Sequence, residues 1–263
     1  VHKNKIKEQI TELESKRTEL QASYNTLLKK TNGTKKSKLR DIPKLDDANM
    51  AGTRKAHLCT LILTEGDSAK SMAIAGLSVV GRDHYGVFPL KGKVLNVRDA
   101  PAQQIVKNQE ITNIKKIIGL ESGKKYKDLK SLRYGKVMIM TDQDHDGSHI
   151  KGLVMNLFHS QWPELLKLDY INCMITPIMK VSKGNQIKPF YTLTEYNQWK
   201  KGVNPKLWKI KYYKGLGTST SKEAKEYFMN LKINQYKYTE GSSDESLILA
   251  FKKTEADQRK EWL

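Results

Sequence analysis

Three aspartates at alternate positions directly follow an apolar segment in the middle of the sequence. The segment Lys136–Thr141 reads KVMIMT, and Asp142, Asp144 and Asp146 come after it within DQDHDG. Carboxylates this close repel one another unless cations neutralise them. Oxygen ligands suit Mg²⁺, which keeps several waters and usually binds through one or two carboxylates plus substrate phosphates. The pattern predicts a divalent-cation site, with a solvated acidic turn as the alternative.

The same spacing opens the calcium loop of an EF-hand, but the positions that follow exclude that fold. Gly147 stands at the sixth position of such a loop, whereas Leu153 occupies the twelfth, where a bidentate glutamate is required. An apolar strand before the aspartates also contradicts a helix-loop-helix unit. The EF-hand interpretation is therefore set aside.

A further acidic residue, Glu65, stands in a similar context. It follows the apolar segment Leu58–Thr64, and Gly66 after it permits a sharp turn into a helix. A carboxylate in this place is able to bind a metal or to exchange a proton with a phosphoester oxygen. Asp67 and Ser68 are also ordinary helix N-cap residues, so the motif gains its weight from its pairing with the aspartates.

Apolar, β-branched segments alternate with helical patterns along the chain. We predict strands at 58–64, 85–90 and 136–141, helices at 68–77, 103–118, 148–162 and 219–229, and further strands within 171–181, 188–193 and 207–213. This alternation predicts an α/β fold with a mostly parallel, Rossmann-like sheet flanked by helices. Because parallel strands share one carboxyl edge, we expect Glu65 to meet Asp142 and Asp144 around one metal site.

The N-terminal part of the chain has a different pattern. Apolar positions within Ile6–Leu27 alternate spacings of four and three, which predicts a long helix that is either a stalk to a preceding domain or an ordinary amphipathic helix. The polar stretch Lys29–Arg40 predicts a flexible loop, and a domain boundary follows near Pro43. We therefore divide the chain into a helical linker, 1–54, and a main domain, 55–263, with an inserted β-containing segment.

The composition indicates a polyanionic partner. Lys and Arg total 47 against 28 Asp and Glu, and this net charge of +19 exceeds what solubility requires. Nucleic acid is preferred to a membrane surface, because the basic residues are spread along the chain and do not line one amphipathic helix. No apolar run approaches the roughly 20 residues of a membrane span. Since Cys59 and Cys173 lie in apolar runs, we expect a soluble, intracellular protein without disulfides.

Five blocks of sequence, taken in order, resemble one family. They are EGDSA (65–69), PLKGKVLNV (89–97), IMTDQDHDGSHIKGL (139–153), YYKGLGTS (212–219) and DQRKEWL (257–263). A glutamate after the first strand and DxDxDG after a later one are the signature of Toprim domains. The amino-acid sequences of all five blocks are similar to those of the eukaryotic type IIA DNA topoisomerases. The resemblance extends from about Lys55 to the end of the chain.

This resemblance implies roles for the acidic residues. Glu65, Asp142 and Asp144 would be the catalytic set and would hold Mg²⁺, for which Mn²⁺ or Ca²⁺ would substitute. Asp146 would be an auxiliary carboxylate, and Glu65 the general acid/base. In the family, a tyrosine of the following winged-helix domain attacks a DNA phosphate while the metal stabilises the departing 3′ oxygen.

The resemblance also implies contacts with double-stranded DNA. Lys93 and Asn96, and Arg259 and Lys260 in the last block, match positions that contact DNA. Lysines there would neutralise phosphates without choosing a sequence. Lys91 stands where many relatives have arginine, which places bidentate contacts at that position in doubt.

Two other features leave alternatives open. The segment KGLG, Lys214–Gly217, would either hold a phosphate at a helix N-terminus or form a plain glycine turn, and Lys214 is included among the expected DNA contacts. The histidines His145, His149 and His159 lie near the acidic residues but lack zinc spacing with the cysteines, so we expect solvent-facing or core roles for them.

The resemblance implies that the parent enzyme is a nuclear homodimer that would cut both strands of one duplex, pass another through the break and reseal it with the use of ATP. The chain contains no P-loop, so ATP is expected only in the full-length enzyme, and the chain ends at Leu263 before the expected tyrosine domain. We therefore expect weak Mg²⁺ binding and salt-dependent DNA binding but no relaxation of plasmid. Two other functions remain open: a free-standing Toprim nuclease that uses a metal-activated water, and a DNA-binding module without catalysis.

Overall fold

The computed structural model describes residues 2–35, 39 and 41–262, with side chains from residue 9 onward. The helices are α1 (His2–Thr31), α2 (Gly66–Val80), α3 (Ala102–Lys107), α4 (Gln109–Ile118), α5 (His145–Gln161), α6 (Pro163–Lys167), α7 (Leu193–Lys201), α8 (Ser221–Met229), α9 (Ser242–Phe251) and α10 (Ala256–Trp262). The strands are β1 (Thr60–Glu65), β2 (Tyr85–Leu90), β3 (Lys136–Met140), β4 (Ile171–Met174), β5 (Met179–Lys183), β6 (Gln186–Phe190), β7 (Lys209–Tyr212) and β8 (Ile233–Gln235).

A five-stranded sheet in the order β2-β1-β3-β4-β8 forms the centre of the molecule. The strand pairs β1–β2, β1–β3 and β3–β4 are parallel, and β8 joins β4 in the antiparallel sense. The predicted α/β fold with a mostly parallel sheet between helices is therefore confirmed.

Alternate residues of β1 face opposite layers of helices. Leu61 and Leu63 pack in the larger apolar cluster, which includes Ile114 of α4 and Leu157 of α5. Ile62 points to the other face, in the smaller cluster with residues of α2 and α8. A strand covered on both faces has a continuous apolar sequence, which explains the run LCTLILT.

The apolar run at residues 171–181 is divided between two sheets. β4 ends at Met174 in the central sheet, and β5 begins at Met179 in a separate antiparallel sheet of order β6-β5-β7. Pro177 stands between them, and a proline has no amide hydrogen to continue a strand ladder. The predicted β-containing insert is therefore present as a small second sheet, with α7 between β6 and β7 in the chain and α8 after β7.

Several helix boundaries differ from the predicted ones. The single helix predicted at 103–118 is broken at Asn108, whose side chain accepts a hydrogen bond of 2.9 Å from the amide of Ile111 and so begins a new helix. Helix α2 begins at Gly66 and not at Ser68, and α5 begins at His145 and not at Ser148. Helices α6, α7, α9 and α10 and strand β8 were not predicted.

Helix α1 contacts the rest of the molecule near its C-terminal end. Leu13 and Leu20, on the predicted apolar stripe, are 66% and 69% exposed, whereas Tyr24 and Leu28 are half-buried. The side chain of Ile6, also on that stripe, lies outside the described residues. The exposed stripe suits a helix whose N-terminal part packs on something other than this domain.

The loop predicted at Lys29–Arg40 is ordered where the structure describes it. Residues 29–31 still belong to α1, the amide of Gly33 donates to the carbonyl of Leu120 at 2.7 Å, and Asn32 accepts from the amide of Ser122 at 3.0 Å. A side chain at position 33 would overlap the backbone at Lys115 and Gly119, so this glycine permits the close approach. The prediction of a loop is wrong for residues 29–31, which are helical, whereas residues 32–35 form neither helix nor strand. Residues 36–38 and 40 lie outside the described part.

Residues 41–54 pack on the central sheet. Ile42, Ala48 and Ala51 are buried, and Asp46 forms a β-bridge with Val87. The packed core thus includes residues on the N-terminal side of position 55. Among the described residues, no helix combines the length and the apolar composition needed to cross a membrane.

Candidate functional site

The carboxyl ends of β1 and β3 bring Glu65 and Asp142 together. The two strands are adjacent and parallel, with Thr64 opposite Met140, so both chains leave the sheet at the same edge. The amide of Asp142 donates a hydrogen bond of 3.3 Å to Oε2 of Glu65. The expectation that these two residues meet at one edge is confirmed.

The carboxylate of Glu65 is held at the entrance to α2 without acting as its cap. Glu65 occupies the N-cap position but makes no side-chain capping bond, and Gly66 turns the chain with a φ of 77°. Burial, the largest cause, raises the pKa of Glu65, as do the negative charges of Asp142, Asp144 and Asp146, against the opposing effect of the Asp142 amide. A carboxylate with a raised pKa beside other carboxylates is suited to proton exchange or to sharing a cation.

Asp142 is held in place by a distant loop. The amide of Leu216 donates a 2.7 Å hydrogen bond to Oδ1 of Asp142. A β-carbon on Gly215 would lie 2.3 Å from Oδ2 of Asp142, so the loop is able to approach only because this residue is glycine. For the KGLG segment, the glycine turn is therefore the observed structure: its amide binds a protein carboxylate, and Leu216–Thr218 form a short 3₁₀ turn, not the start of a long helix.

Asp144, a candidate metal ligand, also caps helix α5. It is the N-cap residue of α5, and its Oδ1 accepts a hydrogen bond of 2.8 Å from the amide of Gly147. This explains why α5 begins three residues earlier than predicted. The residue is exposed at the same edge of the sheet as Glu65 and Asp142.

Asp146 lies in the first turn of α5 and forms an ion pair with Lys93. The Nζ to Oδ1 distance is 2.8 Å, and the side chains are 54% and 68% exposed. The hydrogen bond from Lys93 holds the pKa of Asp146 below its usual value, and the same bond raises the pKa of Lys93. The loop that contains Lys93 is therefore joined electrostatically to the acidic edge.

Two of the predicted DNA contacts make internal hydrogen bonds. The amide nitrogen of Asn96 donates to the carbonyl of Phe251 at 2.8 Å, and its oxygen accepts from Asn156 at 2.9 Å. Arg259 donates from Nη1 to the carbonyls of Leu249 and Lys252 at 2.8 and 2.7 Å. These contacts attach α9 and α10 to the loop after β2, next to the acidic edge.

The other three predicted DNA contacts are on the surface. Lys260 pairs with Asp257 at 2.8 Å, and both side chains are more than three-quarters exposed. Lys91 and Lys214 are exposed, and the backbone amide of Lys91 donates to Glu110 at 2.6 Å. Lys91 and Lys214 are therefore accessible to a ligand outside the chain, and Lys260 becomes so when its exposed ion pair opens.

The four acidic residues share an edge, but each has its own partner. Within the described residues, no three side chains of Asp, Glu, His or Cys are arranged closely enough to hold an ion together. The chemistry of the donor set nevertheless fits Mg²⁺, because all the donors are carboxylate oxygens, and the charges of three aspartates act on Glu65. The roles of these residues as metal ligands remain predictions.

Two histidines and one buried lysine contact residues close to the acidic edge. His159 lies between Asp244 and Arg98, at 2.5 and 2.7 Å, and the ring of His149 stacks on Phe251. His149 is exposed, whereas the side chain of His159 is largely buried in polar contacts. Lys151, which the sequence did not single out, is buried on α5 with its ammonium group 3.5 Å from Gln143, the residue between two of the aspartates.

Known proteins match this chain along most of its length. Residues 60–178 match the Toprim domain, and residues 174–263 match the C-terminal associated domain of TOPRIM. The chain is 62% identical over 242 residues to DNA topoisomerase 2 of Bombyx mori and 58% identical over 243 residues to human DNA topoisomerase 2-alpha. Each match covers 90% of this chain but only 16% of the relative, so the chain spans about a sixth of the length of these proteins.

A solved structure has the same fold. The chain matches the crystal structure of the DNA-binding, cleavage and re-ligation domain of Plasmodium falciparum topoisomerase II with a TM-score of 0.83 and 53% identity, over 86% of this chain and 32% of that one. The acidic edge described above lies within the part that matches the Toprim domain. The chain belongs to the eukaryotic DNA topoisomerase II family, and it comprises the Toprim domain and its C-terminal associated domain.

Proposed function

We propose that this chain is the metal-dependent DNA cleavage and religation module of an ATP-dependent type IIA topoisomerase, which changes DNA topology through transient double-strand breaks and strand passage. The observation that supports the proposal most directly is the contact between Glu65 and Asp142 at the carboxyl ends of adjacent parallel strands. Parallel α/β sheets place their chemistry at this edge.

In this proposal, Glu65, Asp142 and Asp144 hold Mg²⁺, with Asp146 close by. The bound metal would supply electrostatic stabilisation to the leaving 3′ oxygen, which is a poor leaving group in water. The chain's own residues position the groups: the Leu216 amide fixes the carboxylate of Asp142, and burial together with the neighbouring charges keeps Glu65 ready to exchange a proton. Mn²⁺ or Ca²⁺ would occupy the same oxygen ligands.

The exposed lysines give the module its affinity for double-stranded DNA. Lys91, Lys93, Lys214 and Lys260 are exposed, and Lys93 and Asp146 form an ion pair that a phosphate is able to replace. Asn96 and Arg259 support this surface through α9 and α10. Phosphate contacts of this kind supply affinity without sequence selection.

The rest of the catalytic cycle is assigned to parts of the enzyme outside these 263 residues. The nucleophilic tyrosine and the ATP site would belong to other domains of a nuclear homodimer. Of the proposed linker, 1–54, helix α1 would connect to a preceding ATPase region, whereas residues 41–54 pack on the central sheet. The exposed apolar stripe of α1 supports this role, since it lacks a partner surface in the described chain.

The purified chain itself tests the proposal. With Mg²⁺ it should bind DNA in a salt-dependent manner and leave supercoiled plasmid unrelaxed and uncut, whereas a longer enzyme with the tyrosine domain should cleave DNA and lose cleavage on Glu65→Ala. Nicking by the purified chain that disappears on Glu65→Ala would instead identify a free-standing Toprim nuclease. Cleavage by the longer enzyme that survives Asp142→Ala would leave only a DNA-binding role.

A further inference from the structure

The small antiparallel sheet and helix α7 form a unit of unusual charge. We call residues 179–212 the basic module. It contains eight lysines and a single acidic residue, Glu195. This short segment accounts for more than a third of the chain's net charge of +19. Such a concentration of one sign is typical of a surface that meets a polyanion.

Most of these lysines have no carboxylate partner. Lys180 and Lys211 form ion pairs with Glu226 and Glu223 of α8, at 3.2 and 2.8 Å, and so attach the basic module to the central domain. The other six are exposed, and none pairs with an acidic side chain in the part of the chain that the structure describes: Lys183, Lys188, Lys200, Lys201, Lys206 and Lys209. Their charge is available to an external ligand.

The single acidic residue of the basic module does not neutralise them. The carboxylate of Glu195 accepts hydrogen bonds from the backbone amides of Tyr191 and Thr192, at 2.7 and 3.2 Å, in the capping box of α7. It therefore serves to begin a helix. With eight lysines and this one carboxylate, the module keeps a net charge of +7.

An aromatic cluster fixes two of the exposed lysines on one face of the sheet. Trp199 packs against Phe190 and Trp208 at ring distances of 5.3 and 5.4 Å. The ammonium of Lys183 lies 6.0 Å from the ring centre of Trp208, and that of Lys188 lies 5.5 Å from Phe190. The register places Lys183 and Lys188 diagonally on neighbouring strands, so their charges share one face.

The basic module begins at the candidate site and extends away from it. β7 ends at Tyr212, three residues before Gly215, which contacts Asp142. Tyr212 is paired with Met179, and Lys183 is four residues further along β5. At a rise of about 3.3 Å per residue, Lys183 lies roughly 13 Å along β5 from Met179, the residue at the end of the small sheet nearest the candidate site.

We propose that the basic module is a second DNA-binding surface, which contacts the phosphates of duplex DNA outside the segment bound at the acidic edge. The choice of DNA as the polyanion rests on the proposed function, whereas the surface itself follows from charge and geometry. Six exposed lysines without a carboxylate partner supply sequence-independent affinity. With the basic module, one chain would contact a longer stretch of duplex DNA than the acidic edge alone.

The experiment measures how DNA affinity depends on salt. The purified chain is titrated into a fluorescent duplex of about 30 base pairs, roughly three helical turns, over a range of salt concentrations. The triple variant Lys183→Gln, Lys188→Gln and Lys209→Gln should weaken binding by about tenfold or more and lower the slope of log K against log salt by about 2 to 3, since each phosphate contact contributes about 0.9. Lys180 and Lys211 stay intact, which preserves the ion pairs to α8.

The matched control removes the same charge elsewhere. The control variant carries Lys125→Gln, Lys127→Gln and Lys136→Gln, at three exposed lysines. Lys125 and Lys127 precede β3 in the chain, and Lys136 is its first residue, at the end of the strand away from the acidic edge. These changes should leave the slope close to that of the unsubstituted chain. Equal slopes for the two triple variants would overturn the proposal. A second module variant, Lys200→Gln with Lys201→Gln, repeats the test if the first one unfolds, as judged by circular dichroism.

Two further arms separate this inference from the proposed function. If Lys93→Gln weakens DNA binding and the module variant does not, the basic module is not a DNA surface although the site assignment stands. If the module variant weakens DNA binding while the longer enzyme still cleaves DNA after Asp142→Ala, the surface stands and the proposed function fails. A poly-glutamate peptide that binds through these lysines, with DNA binding unchanged in the module variant, would assign the surface to an acidic protein segment and overturn the proposal.

Discussion

The amide of Leu216 donates a 2.7 Å hydrogen bond to the carboxylate of Asp142, although 74 residues separate the two in the sequence. This bond holds one carboxylate of the candidate site in a fixed orientation. It also connects the site to the end of the inserted segment, so the position of Asp142 depends on how that segment packs.

Gly215→Ala should impair metal-dependent cleavage more than it impairs stability. The new β-carbon would lie 2.3 Å from Oδ2 of Asp142, while the backbone at this residue is extended with a φ of −167°, which alanine adopts without strain. A displacement of about 1 Å in a catalytic group is able to cost roughly 100-fold in rate. Cleavage is measured in the longer enzyme, and melting in this chain.

Gly217→Ala is the matched control for that change. A β-carbon at position 217 meets no atom within 4 Å, so cleavage should stay near the unsubstituted level. Equal losses for the two substitutions would show that the glycine turn itself, and not its approach to Asp142, is what matters.

Asp146→Asn should strengthen DNA binding when metal is removed with EDTA. The substitution releases Lys93 from its 2.8 Å ion pair and removes a negative charge that would repel the phosphates of DNA bound beside Lys93. Because solvent screens this exposed ion pair, the gain should be small, no more than about fivefold. The gain should disappear in the double variant with Lys93→Gln, and a gain that persists there would show that Lys93 takes no part.

Lys115 should give the protein a distinctive pH dependence. Its ammonium group is buried, 5% exposed, and hydrogen-bonds to the hydroxyls of Thr31 and Ser122, and burial lowers its pKa to about 8. The unfolded chain keeps this proton up to about pH 10.4, so between these values it binds more protons than the folded one. The contribution of this group to the free energy of unfolding therefore rises with pH from about 8 to about 10.4 and is constant below.

The substitution Lys115→Met tests whether this contribution to the free energy of unfolding rises with pH. The melting temperature of the unsubstituted chain, relative to that of the Lys115→Met chain, should rise across the same pH interval. Lys125→Met, at an exposed lysine, should run parallel to the unsubstituted chain. A difference between the Lys115→Met and unsubstituted chains that stays flat from pH 7 to 10 would contradict the account.

Gly76→Ala should destabilise the contact between α2 and α8. A β-carbon at position 76 would lie 2.0 Å from Cδ2 of Phe228, a buried ring on α8. Overpacking of this kind costs about 1–3 kcal/mol and should lower the melting temperature by several degrees. Phe228→Leu in the same chain should recover part of the loss, because the smaller side chain leaves room, and the absence of any recovery would show that the ring is not what the alanine meets.

The sequence predicted the parallel sheet and its acidic edge because both depend on local patterns. Continuous apolar runs such as the one before Glu65 are typical of strands buried on both faces, and parallel strands share a carboxyl edge. The meeting of Glu65 and Asp142 follows from those two facts. Neither depends on the details of side-chain packing.

Other features depend on long-range packing and left no signal of this kind. The division of residues 171–181 between two sheets is hidden in a single apolar run. Asp144 was interpreted as a metal ligand and not as the N-cap of α5, so the start of this helix was predicted too late. The bond from Leu216 to Asp142 requires the whole insert to fold back on the sheet, which no local pattern in the sequence predicted.

The central claim is that Glu65 and Asp142 share one divalent ion, and a double-mutant cycle on metal affinity tests it most directly. Mg²⁺ binding to this chain is measured by calorimetry, with Mn²⁺ as a spectroscopic substitute, for the unsubstituted chain, Glu65→Gln, Asp142→Asn and the double variant. Each single substitution should remove most of the binding, and the double variant should lose little more, because residues that hold the same ion are not additive. Metal binding that is unchanged by either substitution, or losses that simply add, would contradict a shared site.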